Sequence, residues 1–365
     1  MSYIWEQDNW PKVTWDGERL LHLLARVSHE QGLLLGRMDG LGFDLKNEAQ
    51  LHSLTDEVIN SSEIEGETLP HDQVRSSIAR RLEMKGIKHL VPSVREVDSV
   101  VGMMTNAADK YDELLTPARL FDWQASLFTA ESILHPVTTG CYRNSSMQVV
   151  SGAIGREKIH YEAPPPNRLE SEMREFLDWF ESPGDINPLL IAGLAHFWFV
   201  TIHPFDDGNG RIARAIADMA LARAESSPRR FYSMSKQILI ERNDYYKMLE
   251  QTQKGSCDIT AWQEWFLGCL LRAIQSADKS VGVILQKARF WQRFAEESLN
   301  ERQIKMLNRL LDGFNGKLKT EKWAKITQCS SDTALRDIND LISRGALRKD
   351  QGGGRSTGYS LVLEE

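Results

Sequence analysis

The chain has 365 residues, of which 41% are apolar, so its length and composition suit two or three domains with ordinary hydrophobic cores. Its formal net charge of −7 excludes a protein that binds nucleic acid through its overall charge. The four cysteines lie far apart and match no zinc-binding spacing, which indicates a reduced protein rather than one held together by disulfides.

No segment predicts a membrane span or a secretion signal. The longest apolar run, residues 189–202, is interrupted by polar residues and is shorter than the ~20 residues that cross a bilayer. It therefore indicates a buried central helix. The first residues lack the basic and apolar regions of a signal peptide, so we expect a cytoplasmic chain with no membrane partner.

Residues 1–95 predict a helical N-terminal domain. An apolar stripe at helical spacing predicts a helix over 18–40, and the tryptophans at positions 5, 10 and 15 are expected to pack on it. A second helix is predicted over 48–62, with Asn47 as its N-cap and Gly66 as its stop signal. Its expected buried face comprises Leu51, Leu54, Val58 and Ile59.

Residues 96–285 predict the core of the molecule. Two short β-type segments, 147–150 and 158–161, flank a glycine-containing loop and predict a β-hairpin. Asn187 and Pro188 are typical of a helix start. That helix should run to residue 202, and the next should span 211–224. The glycine-rich loop between them follows a helix and not a strand, which separates it from Rossmann and P-loop sites.

The tail, residues 290–365, predicts a winged-helix-like domain. Helices are expected over 301–311, 320–327 and 331–343, and two strands over 347–362 should enclose a wing at 352–355. The net charge of residues 299–365 is about +3, and a helix-turn-helix can enter a major groove, so DNA is a candidate partner. The acidic residues Asp332, Asp337 and Asp340 of the third helix argue against tight phosphate binding and favour a protein-interaction or dimerisation role.

The chemistry is concentrated in the sequence HPFDDGNGRIAR at 203–214. Glycines allow backbone N–H groups to close on a phosphate, arginines bind phosphate oxygens, a carboxylate can hold Mg²⁺, and a histidine can accept a proton. This sequence resembles the core motif of the Fic family, H-x-F-x-[D/E]-G-N-G-R-x-x-R, and matches it at every fixed position. The resemblance implies a mainly α fold: a Fic-type helical core with a β-hairpin flap.

The resemblance also implies a reaction, in which AMP passes from ATP to a Ser, Thr or Tyr hydroxyl of a protein target, or of the chain itself, and pyrophosphate leaves. By carry-over, His203 is the base and Asp207 holds Mg²⁺. Gly208, Asn209 and Gly210 bind the phosphates through backbone N–H groups, with help from the Asn209 side chain. Arg211 and Arg214 neutralise the leaving pyrophosphate. Tyr246 is expected to contact adenine.

Three other residues are given structural interpretations. Phe205 is expected to pack beneath the loop, His196 to be a satisfied core histidine, and Asp206 to be exposed without a role.

Residues 61–66, SSEIEG, resemble the inhibitory motif of the same family, [S/T]-x-x-x-E-[G/N]. The register runs from Ser61 to Glu65 and Gly66. The resemblance implies that Glu65 forms an ion pair with Arg214 and prevents productive ATP binding. The structural alternative is a solvated acidic turn, because Glu63 and Glu67 flank the motif.

Two other functions stay open on the sequence. The same site could remove AMP from a modified protein, with Glu65 positioning water. Alternatively, the chain could be a nucleotide-sensing regulator that binds DNA through residues 290–365. The target, the signal that releases Glu65 and the oligomeric state, for which a homodimer is one option, do not follow from the residues.

Overall fold

A computed structural model describes residues 2–84, 90–128, 137–152, 156, 158–294, 297–311, 314, 316–350 and 358–363. Within helices, only the backbone is described at 44, 280, 283–285 and 288. The chain divides into two compact units, Met1–Ala277 and Asp278–Glu365. The domain boundaries expected at residues 95 and 285 stay predictions.

The first unit is mainly helical. Its elements are α1 (Gly17–Asp39), α2 (Phe43–Ile64), α3 (His71–Arg81), α4 (Arg95–Asp109), α5 (Pro117–Leu127), the hairpin strands β1 (Gln148–Ser151) and β2 (Lys158–Glu162), α6 (Leu169–Glu181), α7 (Pro188–Ile202), α8 (Asn209–Glu225), α9 (Met234–Ile240), α10 (Arg242–Gln253) and the start of α11 (Thr260–Arg293).

The centre of this unit is the pair α7 and α8. From Leu189 to Ile202 every residue of α7 except Ile191 is buried, which confirms the central helix predicted from the apolar run. Asn187 caps α7 by accepting the N–H of Leu189 at 3.0 Å, as predicted. Helix α8 begins two residues earlier than predicted, and its expected inward-facing residues are fully buried (Ile212, Ala215, Ile216 and Met219).

Helix α2 is longer than the sequence predicted. It begins at Phe43, with Gly42 in the N-cap position, so Asn47 lies inside the helix and the prediction that it caps was wrong. The helix ends at Ile64, and Gly66 follows with φ of +88°, a conformation that glycine adopts without a steric penalty. The predicted stop is therefore confirmed.

Trp5 and Trp10 form their hydrogen bonds away from α1, contrary to the prediction, and the prediction for Trp15 stays a prediction. The Trp5 indole donates to the Glu162 carbonyl at 2.8 Å. The Trp10 indole donates to the buried Glu172 carboxylate at 2.8 Å and meets Trp198 edge-on. An indole N–H needs a partner when it is buried, and α6 and β2 supply these partners. Trp5 and Trp10 therefore attach the start of the chain to β2 and α6 and not to α1.

The predicted β-hairpin is confirmed. Its strands pair antiparallel, with Val149 opposite Tyr161 and Val150 opposite Ile159, across a bulge between Val149 and Val150. Tyr161 anchors the hairpin, because its buried hydroxyl donates to the Thr201 carbonyl of α7 at 2.6 Å. Most of the loop at its tip, residues 153–155 and 157, lies outside the described residues.

The second unit contains α12 (Glu301–Leu311), α13 (Thr320–Thr327) and α14 (Ser331–Ser343), followed by the antiparallel strands β3 (Leu347–Lys349) and β4 (Tyr359–Leu361). The three helices have the predicted bounds. Its core contains the fully buried Trp323, Met306 and Ile338. The expected wing at 352–355 lies outside the described residues. Among the described helices of both units, none combines the length and hydropathy needed to cross a membrane.

Candidate active site

The loop that joins α7 to α8 forms the floor of the candidate site. His203 ends α7 in the left-handed conformation, with φ of 52°, and Gly208 precedes α8 with φ of +88°. These two positive φ angles let the chain turn from the end of α7 into the start of α8. Phe205 is fully buried beneath the loop, among Phe121, Tyr142 and Phe199, as predicted.

Asn209 holds the loop closed. Its carboxamide oxygen accepts the N–H of Phe205 at 3.0 Å, and its carboxamide nitrogen donates to the Phe205 carbonyl at 2.7 Å. The side chain is buried and uses both ends of the amide on this one residue. The Asn209 side chain therefore positions the loop, and its predicted help in phosphate binding stays a prediction.

His203 is kept neutral by its surroundings. Burial lowers its pKa to about 4, and its Nδ1 lies 3.2 Å from the Val200 carbonyl. A proton on Nδ1 would make that contact a hydrogen bond and leave the lone pair of Nε2 available. A neutral imidazole is the form that can accept a proton near pH 7.

Arg143, which the sequence analysis missed, positions His203. This buried guanidinium donates to the carbonyls of His203 at 2.8 Å, Ser145 at 2.6 Å and Pro164 at 2.5 Å. The Arg143 N–H also donates to the Pro204 carbonyl at 2.9 Å. One side chain thus joins the end of α7 to both ends of the hairpin. No motif surrounds Arg143, so the sequence carried no signal for this role.

The N-terminus of α8 offers donors to an anion. The backbone N–H groups of Asn209, Gly210 and Arg211 have no acceptor among the described residues, and neither does Nη1 of the buried Arg214. The Gly208 N–H, in contrast, donates to the Asp207 carboxylate at 2.6 Å. Of the three predicted phosphate donors, the Gly208 N–H is thus paired and those of Asn209 and Gly210 are not, and their role in phosphate binding stays a prediction. Unpaired N–H groups at a helix N-terminus bind anions.

The Glu65 carboxylate already occupies this anion position. Its Oε1 accepts Nη2 of Arg214 at 2.8 Å, and a Cβ at Gly210 would overlap it. Burial disfavours the charged Arg214, but Glu65 together with Tyr245 and Tyr246 outweighs this effect and raises the arginine pKa. Ser61 completes the contact, because its hydroxyl and carbonyl accept from Arg214 at 2.9 and 2.8 Å. The structure therefore brings Ser61, Glu65 and Arg214 together.

The other arginine of the motif is held by a residue that the sequence analysis treated only as a flank. Nη1 of the buried Arg211 lies 2.6 Å from the Glu67 carboxylate. Burial raises the pKa of Glu67, Arg211 lowers it, and the nearby Asp207 and Glu65 raise it. One short segment after α2 thus contacts both arginines. The alternation of acids at 63, 65 and 67 was the available signal.

Tyr246 lies beside the end of α2. Its hydroxyl donates to the Ile64 carbonyl at 3.2 Å, and its side chain is partly exposed. His196 is a core residue, as interpreted from the sequence, but it is not fully satisfied, because its buried Nδ1 has no hydrogen-bond partner among the described residues. Its Nε2 lies 2.9 Å from the Tyr245 hydroxyl, its ring stacks on Trp262, and burial lowers its pKa to about 3. Asp206 is less exposed than expected and accepts the Thr138 N–H at 3.2 Å.

Asp207 is the exposed carboxylate of the loop. Among the described residues, no group of three or more His, Cys, Asp or Glu side chains is arranged to hold a metal ion. Mg²⁺ usually retains several waters and binds through one or two carboxylates together with substrate phosphates. A single exposed carboxylate beside an anion site is compatible with that mode.

Two segments of the first unit match known protein families. Residues 114–221 match the Fic/DOC family, and residues 3–84 match a domain of unknown function, DUF4172. The chain is 29% identical over 229 residues to the protein adenylyltransferase Fic of Nematostella vectensis, covering 60% of this chain and 47% of that protein. It is 28% identical over 238 residues to the protein of the same name in Aedes aegypti, covering 62% and 42%. The chain thus spans less than half of each relative.

Solved structures support the fold. A Fic family protein from Desulfovibrio desulfuricans G20 has a TM-score of 0.55 at 22% identity, covering 94% of this chain and 95% of that one. A Fic domain containing signaling protein from Bacteroides thetaiotaomicron VPI-5482 has a TM-score of 0.52 at 20% identity, covering 70% and 98%. The mainly helical fold with a Fic core is therefore confirmed, and the segment that matches the Fic/DOC family includes the whole loop from His203 to Arg214.

Proposed function

We propose that this chain is a protein adenylyltransferase that transfers AMP from ATP to a hydroxyl of a protein target and is restrained by its own Glu65. The anion position at the N-terminus of α8 carries the proposal: three backbone N–H groups and Nη1 of Arg214 converge there. The curated relatives bear the name of this activity, which supports the same reaction.

The residues divide the reaction among them. His203, neutral at physiological pH, takes the proton of the attacking hydroxyl as that oxygen bonds to the α-phosphorus. The bond between the α-phosphorus and the bridging oxygen breaks, and pyrophosphate leaves. Arg211, Arg214 and the N–H groups of α8 stabilise the negative charge that develops on the phosphates. Arg143 and Asn209 keep the histidine and the loop in position.

The fit of Mg²⁺ rests on Asp207, whose carboxylate is exposed beside the anion position. When bound, the ion supplies positive charge between the phosphate oxygens. Tyr246 is proposed to line the adenine pocket from the second turn of α10.

The restraint follows from the Glu65–Arg214 pair. Arg214 is almost entirely buried, so removing its partner from the pair costs about 3–5 kcal/mol. As long as the pair persists, a phosphate cannot reach this guanidinium. Glu67 holds Arg211 in the same way, although its carboxylate is half-exposed and its contribution is smaller.

The test is a labelling assay with ATP that carries a tracer at the α- or the γ-phosphate, with Mg²⁺ and a cell lysate. We expect protein-bound α-label and no γ-label, a stronger signal in Glu65→Gly and none in His203→Ala. Glu63→Gly is the matched control, because it loosens the same helix end without touching Arg214. An equal gain in Glu63→Gly would show that helix loosening, and not the ion pair, provides the restraint. No α-label in any variant would refute the transfer reaction.

The reverse reaction, removal of AMP from a modified protein, has one supporting observation. Burial lowers the pKa of His203 and the Glu65 carboxylate partly opposes this effect, so the two groups interact electrostatically across the site. Protein labelled by Glu65→Gly would be purified and incubated with wild type. Loss of label with wild type, and not with Glu65→Gly, would assign removal to the restrained form.

A further inference from the structure

Two acidic residues of α14, the third helix of the second unit, are held by hydrogen bonds within that unit. Asp337 is buried and accepts Arg302 at 2.8 Å and Asn300 at 2.9 Å. Asp340 accepts Gln303 at 2.7 Å and Arg344 at 2.9 Å. These carboxylates fasten α14 to the region of α12. The sequence-based argument that these acids weaken phosphate binding stays a prediction, although Asp337 and Asp340 are engaged in hydrogen bonds within the unit.

The outward face of α14 is polar and uncrowded. Ser331, Leu335, Arg336 and Asn339 are exposed, and Leu335 retains 40% of its accessible surface. Arg336 and Asn339 are three residues apart and therefore share one face of the helix. Arginine and asparagine are the side chains that form paired hydrogen bonds with guanine and adenine in the major groove. Asp332, the acid that stays exposed, lies in the first turn, where the helix dipole favours it.

Basic residues lie on the elements that pack against α14. Lys319 immediately precedes α13, Lys325 lies on α13, and Arg348 and Lys349 lie on β3. All four are exposed, and none forms an ion pair with a described residue, although Glu321 is an exposed acid on the same side of the chain. Residues 278–365 hold sixteen Lys and Arg against twelve Asp and Glu, in a chain whose total charge is −7. This asymmetry is typical of a nucleic-acid-binding segment in an otherwise acidic protein.

We propose that the second unit binds duplex DNA, with the outward face of α14 in the major groove. Arg336 and Asn339 contact base edges, and Lys319, Lys325, Arg348 and Lys349 contact the phosphates on either strand. This function is independent of AMP transfer, because none of these residues belongs to the loop at 203–214. It predicts that the His203→Ala variant still binds DNA.

The experiment measures fluorescence anisotropy of a labelled 30-base-pair duplex of mixed sequence as the full chain is added, between 50 and 200 mM KCl. We expect binding that weakens with salt, because each phosphate contact releases counterions. The Lys319→Ala/Lys325→Ala variant should make the slope of log affinity against log salt shallower by about 2. Lys305→Ala/Arg309→Ala, which removes the same charge from α12, is the matched control and should leave the slope unchanged.

Base reading is tested separately. Duplexes enriched from a random pool by wild type should lose their advantage over the mixed duplex in Arg336→Ala, while binding to the mixed duplex persists. Circular dichroism melting checks that each variant is folded. Three results would overturn the proposal: no binding at 50 mM KCl, an equal loss in both double variants, or self-association that Arg336→Ala abolishes in the absence of DNA binding.

Discussion

At the residue scale, the motif at 203–214 contains residues of two kinds, those with charged or titratable side chains and those that shape the loop. Arg214 contacts the Glu65 carboxylate at the anion position and Arg211 contacts Glu67, whereas Phe205 and Asn209 build the loop that precedes both arginines. The sequence motif identified both groups equally well. It could not separate them, because contact with a ligand and contact with the backbone place the same demand on residue identity. Only the hydrogen bonds of Asn209 show that its side chain serves the loop.

We therefore expect Asn209→Ala to lower stability and ATP affinity together. The change leaves the buried N–H of Phe205 without an acceptor, which costs about 1–3 kcal/mol. Urea unfolding and equilibrium ATP binding measure the two effects. Asn187→Ala, which removes the cap of α7, should lower stability alone. A normal free energy of unfolding with weakened ATP binding in Asn209→Ala would instead mean that the side chain contacts the phosphates.

At the scale of elements, the restraint depends on where α2 ends. Glu57, on the buried side of this helix, accepts the Ser233 hydroxyl at 2.7 Å and the Ser235 N–H at 3.0 Å, at the start of α9. Lys236 adds an ion pair with Asp56 at 2.7 Å. Two turns later, Ser61 and Glu65 meet Arg214. The contacts of Glu57 and Asp56 thus fix the position of α2, and the end of this helix places the Glu65 carboxylate against Arg214.

The second acid of this segment makes a measurable contribution. We expect Glu67→Gln, in the Glu65→Gly background, to raise ATP affinity by roughly 5-fold, or about 1 kcal/mol, because it frees Arg211 from a partly exposed partner. Isothermal titration with ATP measures the change, and Glu63→Gln in the same background is the control. Unchanged affinity would show that Arg211 does not contact the nucleotide.

At the scale of the whole molecule, the sequence predicted element types better than contacts. Periodicity and capping residues located α7, α8, the hairpin and the three helices of the second unit, because these signals are local. The start of α2 was misplaced, since Asn47 is a good cap residue that the longer helix overrides. The partners of Trp5 and Trp10 were also wrong, because an indole pattern shows burial but not the element that supplies an acceptor more than 150 residues away.

Within the candidate site, the motifs placed His203 near Arg214 and brought Glu65 to it. Arg143 and Glu57 left no signal in the sequence, and Glu67 was read only as a flanking acid. Their roles are hydrogen bonds between distant segments, and no local spacing records such bonds. The partners of Asp337 and Asp340 belong to this class as well.

Stability of the chain should depend on two buried histidines. Burial lowers the pKa of His196 to about 3 and that of His203 to about 4, below the usual value near 6.5. Between pH 6.5 and 4 the unfolded chain binds protons that the folded chain does not. The stabilising effect is thus complete above pH 6.5 and is lost as the pH falls through this window.

We expect the free energy of unfolding to fall more steeply with acid in wild type than in His196→Gln. The difference should approach about 1.4 kcal/mol per pH unit between pH 6.5 and 4, because one proton is involved. Urea unfolding at several pH values measures both slopes, and the comparison removes the contribution of the carboxylates. Identical slopes would contradict a neutral His196 in the folded state.

Gly210 has a consequence for how the resting chain responds to nucleotides. Because this residue has no side chain, one small space beside Arg214 can hold either a carboxylate or a terminal phosphate, and never both. Glu65 is then a tethered competitor for the third phosphate alone. The resting chain should consequently bind ATP and ADP with similar affinity. A preference for ATP should appear only when Glu65 leaves Arg214. Once Glu65 is released, the ratio of ATP to ADP, rather than their total concentration, would determine how much of the chain carries ATP.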